Sequence, residues 1–218
     1  MADTVPIFPL QFVLLPGMPL PLHIFEPRYR QLVADVTAVG QSPCFGVVAL
    51  RRGGETDHDV DLAEVGTVAE IVEREPYPDG RVDLLTVGTR RFRVVSVQHG
   101  VAPYMCAEIE WLPEEFGSID ASLLGAVRRE CRQYLSLLAS LGVHTEDDLS
   151  HDPLKLSYEV AAHLQLPMAE RVRLLSADTV ADRLREECDL LRRELALLTA
   201  THAVPVSPQS FRSVFGDS

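Results

Sequence analysis

Hydrophobic and polar positions change their spacing several times along this chain. Over Val5–Phe25 the apolar residues are nearly continuous, but Pro6, Pro9, Pro16, Pro19 and Pro21 interrupt them. Proline has no N–H to give a strand ladder and is confined to edges and corners. The segment therefore predicts two short edge strands joined at Pro16-Gly17, wrapping the rim of a β-structure. From Pro27 the spacing becomes helical. Tyr29, Leu32, Val33 and Val36 share one face, Pro27 suits the first helical position, and Gly40 suits the stop.

Strand patterns then return. Cys44–Leu50, bounded by Pro43 and Gly53-Gly54, predicts an interior strand. Gly66–Glu73 and Val82–Val87 predict a hairpin about the turn Tyr77-Pro-Asp-Gly80. Arg90–Val97 predicts a further strand after Gly88, with Phe92 and Val94 inward and Arg91 and Arg93 in solvent. In Met105–Trp111 apolar residues alternate with Cys106, Glu108 and Glu110, as in a half-buried strand. Pro113–Gly117 marks a change of regime. Beyond it, Leu123, Leu124, Val127, Cys131, Leu135 and Leu138 form a helical stripe. Asp152-Pro153 opens a second helix, Pro167 a short third, and Asp178 is the expected cap of a last, long one carrying Leu184, Leu191, Leu195 and Leu198. Strands first and helices second predict an α+β protein. The expected division is a β-rich subdomain over 1–115, an α-helical subdomain over 116–202, and a Pro- and Ser-containing tail over 203–218.

Composition narrows the function. A length of 218 residues with 46% apolar residues suits one or two globular domains. The formal net charge of −12 disfavours nucleic acid and anionic membrane as general partners. No run approaches the roughly 18 apolar residues that span a bilayer. The start, with Asp3 and no basic segment, does not look like a signal peptide. A cytoplasmic protein is expected. Cys44, Cys106, Cys131 and Cys188 are scattered, so free reduced thiols are expected and neither metal nor cofactor. Asp57-His58-Asp59 lacks the glycine and terminal glutamate of a calcium loop and reads as a solvated acidic loop. The acids around His144 and His151 read as helix caps. Lys155 is the single lysine and lies in Leu154-Lys-Leu156, so no P-loop is present. No G-x-S-x-G elbow occurs.

Three stretches carry a resemblance. They are Pro16-Gly-Met-Pro-Leu-Pro21 with Phe25-Glu-Pro-Arg-Tyr29; Val65-Gly-Thr-Val-Ala-Glu-Ile71 with Pro78-Asp-Gly80 and Val87-Gly-Thr-Arg-Arg-Phe-Arg93; and Glu170-Arg-Val-Arg-Leu-Leu175 with Ala181-Asp-Arg-Leu184 and Leu191-Arg-Arg-Glu-Leu195. In this order they resemble the N-terminal, substrate-binding domain of Lon proteases. The resemblance implies a PUA-like β-pseudobarrel followed by an α-helical bundle. It also implies the recognition part of a protease without its ATPase and peptidase segments, which these residues do not contain.

The expected function is therefore non-catalytic polypeptide recognition, as an adaptor or sensor in protein quality control. Expected partners are unfolded or apolar polypeptide segments and a protease or other protein. The Leu184–Leu198 stripe offers a face to a second copy as well as to neighbouring helices. Candidate peptide-binding residues are Phe8, Phe12, Met18, Phe25, Arg28, Tyr29 and Tyr77, an apolar set on proline-broken edges open to strand addition. His23 reads as a satisfied structural histidine. The alternatives are a small hydrolase or peptidase whose site escapes the sequence, and an RNA-binding PUA-like protein.

Overall fold

A computed structural model describes residues 3–52, 61–98, 100–143 and 148–201. The acidic loop around His58, the residues His144–Asp147 and the tail after residue 201 lie outside the described residues. Contacts divide the chain into two compact units, the break falling between Pro113 and Glu114.

The first unit holds β1 (Asp3–Leu10), β2 (Pro19–Ile24), helix α1 (Pro27–Val36), β3 (Cys44–Arg52), β4 (Asp61–Pro76), β5 (Val82–Gln98) and β6 (Met105–Trp111). Its six-stranded mixed sheet has the order β2-β5-β4-β3-β1-β6, and an added β5–β6 pairing closes five of the strands into a ring. The β1–β3 pair is parallel and the others are antiparallel. The long strand β5 makes the closure. Val82–Val87 pairs with β2, Phe92–Gln98 pairs with β6, and β4 runs along the other edge of both parts.

The expected break at Gly88 is thus a continuous strand with register shifts, one of which lies between Thr67 and Ala69 of β4, opposite Gly88–Arg91. A bulge interrupts the two-residue alternation of faces. Its consequence corrects the sequence reading of Arg91. Arg91 and Phe92 are both buried, and Arg91 Nη2 donates to the Pro113 carbonyl at 2.9 Å. Arg93 remains exposed, 3.9 Å from Glu110.

Strand β1 is not the edge that its prolines predict, because it lies between β3 and β6. Asp3–Pro6 pairs only with β6, however, and Phe8–Leu10 only with β3, Ile7 alone pairing with both. Pro6 and Pro9 therefore each lie where one side of the strand has no partner, and neither removes a bond from a two-sided ladder. Inside the ring, Gly46 and Gly66 leave the space that the Phe92 ring fills. A Cβ on either would stand 2.7 Å from Phe92 Cζ. On the other face α1 buries Tyr29, Leu32, Val33 and Val36, as its spacing predicts, against Phe8, Phe12, Leu20, Phe45 and Leu84.

The second unit contains α2 (Ala121–Ser140), α3 (Pro153–His163), α4 (Met168–Leu175) and α5 (Val180–Thr201). Asp120 and Asp152 cap α2 and α3 through the N–H groups of Leu123 and Lys155. The cap of α5 is Thr179 rather than Asp178. Its hydroxyl accepts from the Asp182 N–H at 3.1 Å and donates to Asp182 Oδ2 at 2.6 Å. Leu184, Leu191, Leu195 and Leu198 are all buried in this unit, where α5 packs on α2, α3 and α4. No described helix is long and apolar enough to cross a membrane.

Candidate functional site

The site is built where β2 ends, α1 begins and the β4–β5 hairpin turns. In the turn, the Tyr77 N–H donates to Arg81 O at 2.8 Å and the Gly80 N–H to Tyr77 O at 3.0 Å. Asp79 accepts from the Arg81 N–H at 3.0 Å and from Arg81 Nε at 2.7 Å. Gly80 has φ of 86°, and a side chain there would meet the guanidinium of Arg30 from α1. Gly80 thus serves both the left-handed backbone and the close seat of Arg30. We expect Gly80→Ala to cost about 1–2 kcal/mol, read as a lowered denaturant midpoint.

Register places His23 of β2 directly across from Asp83 of β5. His23 Nδ1 lies 2.5 Å from Asp83 Oδ1, and the Tyr77 hydroxyl donates to Asp83 Oδ2 at 2.6 Å. One carboxylate therefore holds two rings. The Tyr77 hydroxyl bond, and then the His23 bond, hold the Asp83 carboxyl below the usual carboxylate range against the opposing effect of desolvation. The same bond to Asp83 raises the Tyr77 hydroxyl above its ordinary value. His23 is 6.2 Å from Phe25, with ring planes 28° apart, and 6.2 Å edge-on from Tyr77. Phe25 is 60% exposed and Tyr77 36%. Arg81 lies 5.6 Å from the Tyr77 ring, and Arg28 stacks 4.6 Å over Tyr29 while pairing with Glu26 at 2.9 Å. The arrangement presents fixed ring surfaces flanked by paired charges, with both oxygens of Asp83 occupied as anchors.

The sequence candidates divide into two groups. Phe25, Tyr77 and Arg28 lie on this surface. Phe8, Phe12 and Tyr29 are buried in the core, with Phe8 stacked 4.1 Å from Tyr29 and 5.8 Å from Phe45. Met18 is half-buried against the same core. The buried three belong to the core that packs against α1. Asp83 was not singled out in the sequence. Its one signal is a lone acid between Val82 and Leu84, both inward-facing.

The outer edge of β2 offers little to an added strand. Thr86 donates to the Leu20 carbonyl at 2.9 Å and the Gly88 N–H to Met18 O at 2.9 Å, so the even-numbered positions face β5. The outward positions are then Pro19, Pro21 and His23, and two of these three lack an N–H. What this edge presents outward is mainly side chains.

A family model for the substrate-binding domain of the ATP-dependent protease La (Lon) matches residues 4–193. The chain belongs to the Lon substrate-binding domain family. It is 31% identical over 209 residues to a Lon protease of Desulfovibrio desulfuricans, an alignment that covers 90% of the chain and 23% of that protein. To Lon protease 2 of Myxococcus xanthus it is 29% identical, covering 93% of the chain and 25% of the relative. The chain thus spans about a quarter of the length of these Lon proteases. The crystal structure of a Lon N-terminal domain protein from Xanthomonas campestris superposes with a TM-score of 0.65 at 28% identity, covering 84% of this chain and 96% of that one. The N-terminal domain of a Mycobacterium avium complex Lon protease shares the fold, with a TM-score of 0.60 at 18% identity. The matched family segment is distinct from the ATPase and peptidase segments of a Lon protease.

Proposed function

We propose that this Lon substrate-binding domain recognises unfolded, apolar polypeptide segments without cleaving them, acting as an adaptor or sensor in protein quality control. The recognising surface is the rim built by Phe25, His23 and Tyr77, with Arg28 beside it and Met18, Phe8, Phe12 and Tyr29 supporting it. The observation that carries this reading is the exposed pair Phe25 and Tyr77 beside His23, with Tyr77 and His23 both anchored on the Asp83 carboxylate. Exposed apolar surface that is fixed in this way marks an interaction site, and aromatic anchors dominate such contacts. Family membership supplies polypeptide as the ligand class.

Binding to arrays of unfolded and folded segments tests the reading. Aromatic and aliphatic unfolded peptides are expected to bind in preference to folded controls. Phe25→Ser and Tyr77→Ser are each expected to weaken that binding about tenfold or more while leaving the melting temperature within the range of surface substitutions. Equal binding by wild type and both variants would remove this rim from consideration. ATP-independent casein turnover abolished by a point substitution would remove the non-catalytic reading itself. Because the Asp83 carboxyl stays ionised further into acid than an ordinary aspartate, the ring clamp should persist through mildly acid pH. It should fail only as the pH falls through the depressed value of the folded state.

A further inference from the structure

The helical unit contains a carboxyl group that the recognition surface does not use. Glu187 lies in the middle of α5, one turn beyond Arg183, and both side chains are fully buried. Arg183 is thoroughly engaged. Its Nε donates to the Leu174 carbonyl at 3.0 Å, its Nη1 donates to Ser157 Oγ at 3.0 Å, and its guanidinium stacks 4.0 Å from the Tyr158 ring. Its Nη2 faces Glu114 Oε2 at 3.5 Å, too far to complete a hydrogen bond. Glu114 in turn accepts from the Tyr158 hydroxyl at 2.6 Å. Neither oxygen of Glu187 has a hydrogen-bond partner. A buried carboxylate in that state is costly, whereas a neutral carboxyl is far less so.

The titratable neighbours come from each packed element. Arg183 and Glu186 act from α5, Cys131 faces the group from α2, and Glu159 of α3 and Arg132 of α2 act on that same thiol. From α4, Arg173 is paired to Glu186 and so is directed away. Glu114 competes for Arg183 from the segment that precedes α2. Only Arg183 favours ionisation of Glu187, and its Nε and Nη1 are already committed to the Leu174 carbonyl and Ser157.

We infer that Glu187 is a pH-responsive latch of the helical unit. It is carried as a neutral carboxyl when α5 is seated, and on ionisation it draws Arg183 away from Glu114 and loosens α5 against α2 and α3. The segment that Arg183 helps to hold is the one that leads out of the first unit. Glu115 and Phe116 carbonyls accept from the Val180 and Ala181 N–H groups at 2.8 and 3.0 Å, so release of Glu114 acts directly on the entry to α5.

Desolvation raises the Glu187 carboxyl well above its ordinary value of 4.5. An unfolded chain releases this proton near the ordinary value, while the folded chain keeps it. Stability therefore declines as the pH rises between the two values, and below the ordinary value nothing is lost.

The test compares wild type with Glu187→Gln, a neutral isostere, and with the apolar Glu187→Met. Amide hydrogen exchange of α5 and thermal midpoints are followed from about pH 5 to about pH 9. The ratio of wild-type to Glu187→Gln opening constants is expected to grow about tenfold per pH unit within the window above the ordinary carboxylate value. Both variants are expected to melt higher than wild type at neutral and alkaline pH. Parallel pH profiles for wild type and Glu187→Gln would overturn the latch. So would a lowered midpoint of both variants at every pH, since that would show an ionised Glu187 serving Arg183. Peptide binding at the rim does not enter either readout.

Discussion

Phe92→Ala should destabilise the β unit by about 3–5 kcal/mol, the largest loss expected from any single apolar truncation here. The ring is fully buried where the barrel closes, over Gly46 of β3 and Gly66 of β4. Its removal leaves a void that two glycines cannot refill, because neither carries a side chain able to relax inward. The glycines themselves should differ in a way that identifies the cause. A Cβ on Gly46 meets only side-chain atoms, Phe92 Cζ at 2.7 Å and Ile7 Cδ1 at 2.8 Å. One on Gly66 also meets the Val47 carbonyl oxygen at 2.7 Å, which belongs to the backbone of the paired strand. Gly46→Ala is therefore expected to regain much of its lost stability when combined with Phe92→Leu, and Gly66→Ala is not. Urea midpoints of the single and double variants measure the coupling. Equal rescue at both positions would disprove the backbone clash.

Arg183→Leu should cost a comparable amount, about 3–5 kcal/mol, since it leaves buried polar partners behind. Ser157 Oγ, the Leu174 carbonyl and the Glu114 carboxylate all face this one guanidinium, and Tyr158 stacks on it. Lysine would not restore the arrangement, because a point charge cannot reproduce a planar fork that donates to two partners, faces a carboxylate and stacks on a ring. Helical content and amide protection in α3, α4 and α5 should fall first, with the β unit protected longer. If Arg183→Lys matched wild type in protection, the planar geometry would be irrelevant. Combining Arg183→Leu with Glu114→Gln should recover part of the loss, since one stranded charge is then removed.

Much of the architecture was legible beforehand. Helix α1 and the leucine stripe of α5 were readable because apolar spacing reports burial wherever an element presents one face to a core. The hairpin about Tyr77–Gly80 was readable because turn geometry is local. Where reading failed, a distant partner had intervened. Arg91 is buried because β5 carries an extra residue here, Thr89 and Arg90 standing opposite Val68 alone, and only the pairing with β4 defines such a bulge. Pro6 and Pro9 correctly signalled missing ladder bonds. They could not show that the two halves of β1 use different neighbours. Thr179 displaced Asp178 as the cap of α5 within the ordinary uncertainty of helix ends.

The candidate surface divides along the same line. Phe25 and Tyr77 were readable as rings beside prolines and a turn. Which aromatic residues of the opening run face out was not, because Phe8, Phe12 and Phe25 look alike in sequence and only ring closure and α1 bury the first two. Asp83 gained its role from strand register, which set it across from His23 some 60 residues away. The amino-acid order by itself determined the class of fold, the helix faces, the turn and the family, since these depend on spacing and local backbone chemistry. The tertiary structure alone decided which rings are exposed, which carboxylate anchors His23 and Tyr77, and which acid is buried without a partner. Those properties depend on residues far apart in the chain meeting in space, and on the water that their meeting removes.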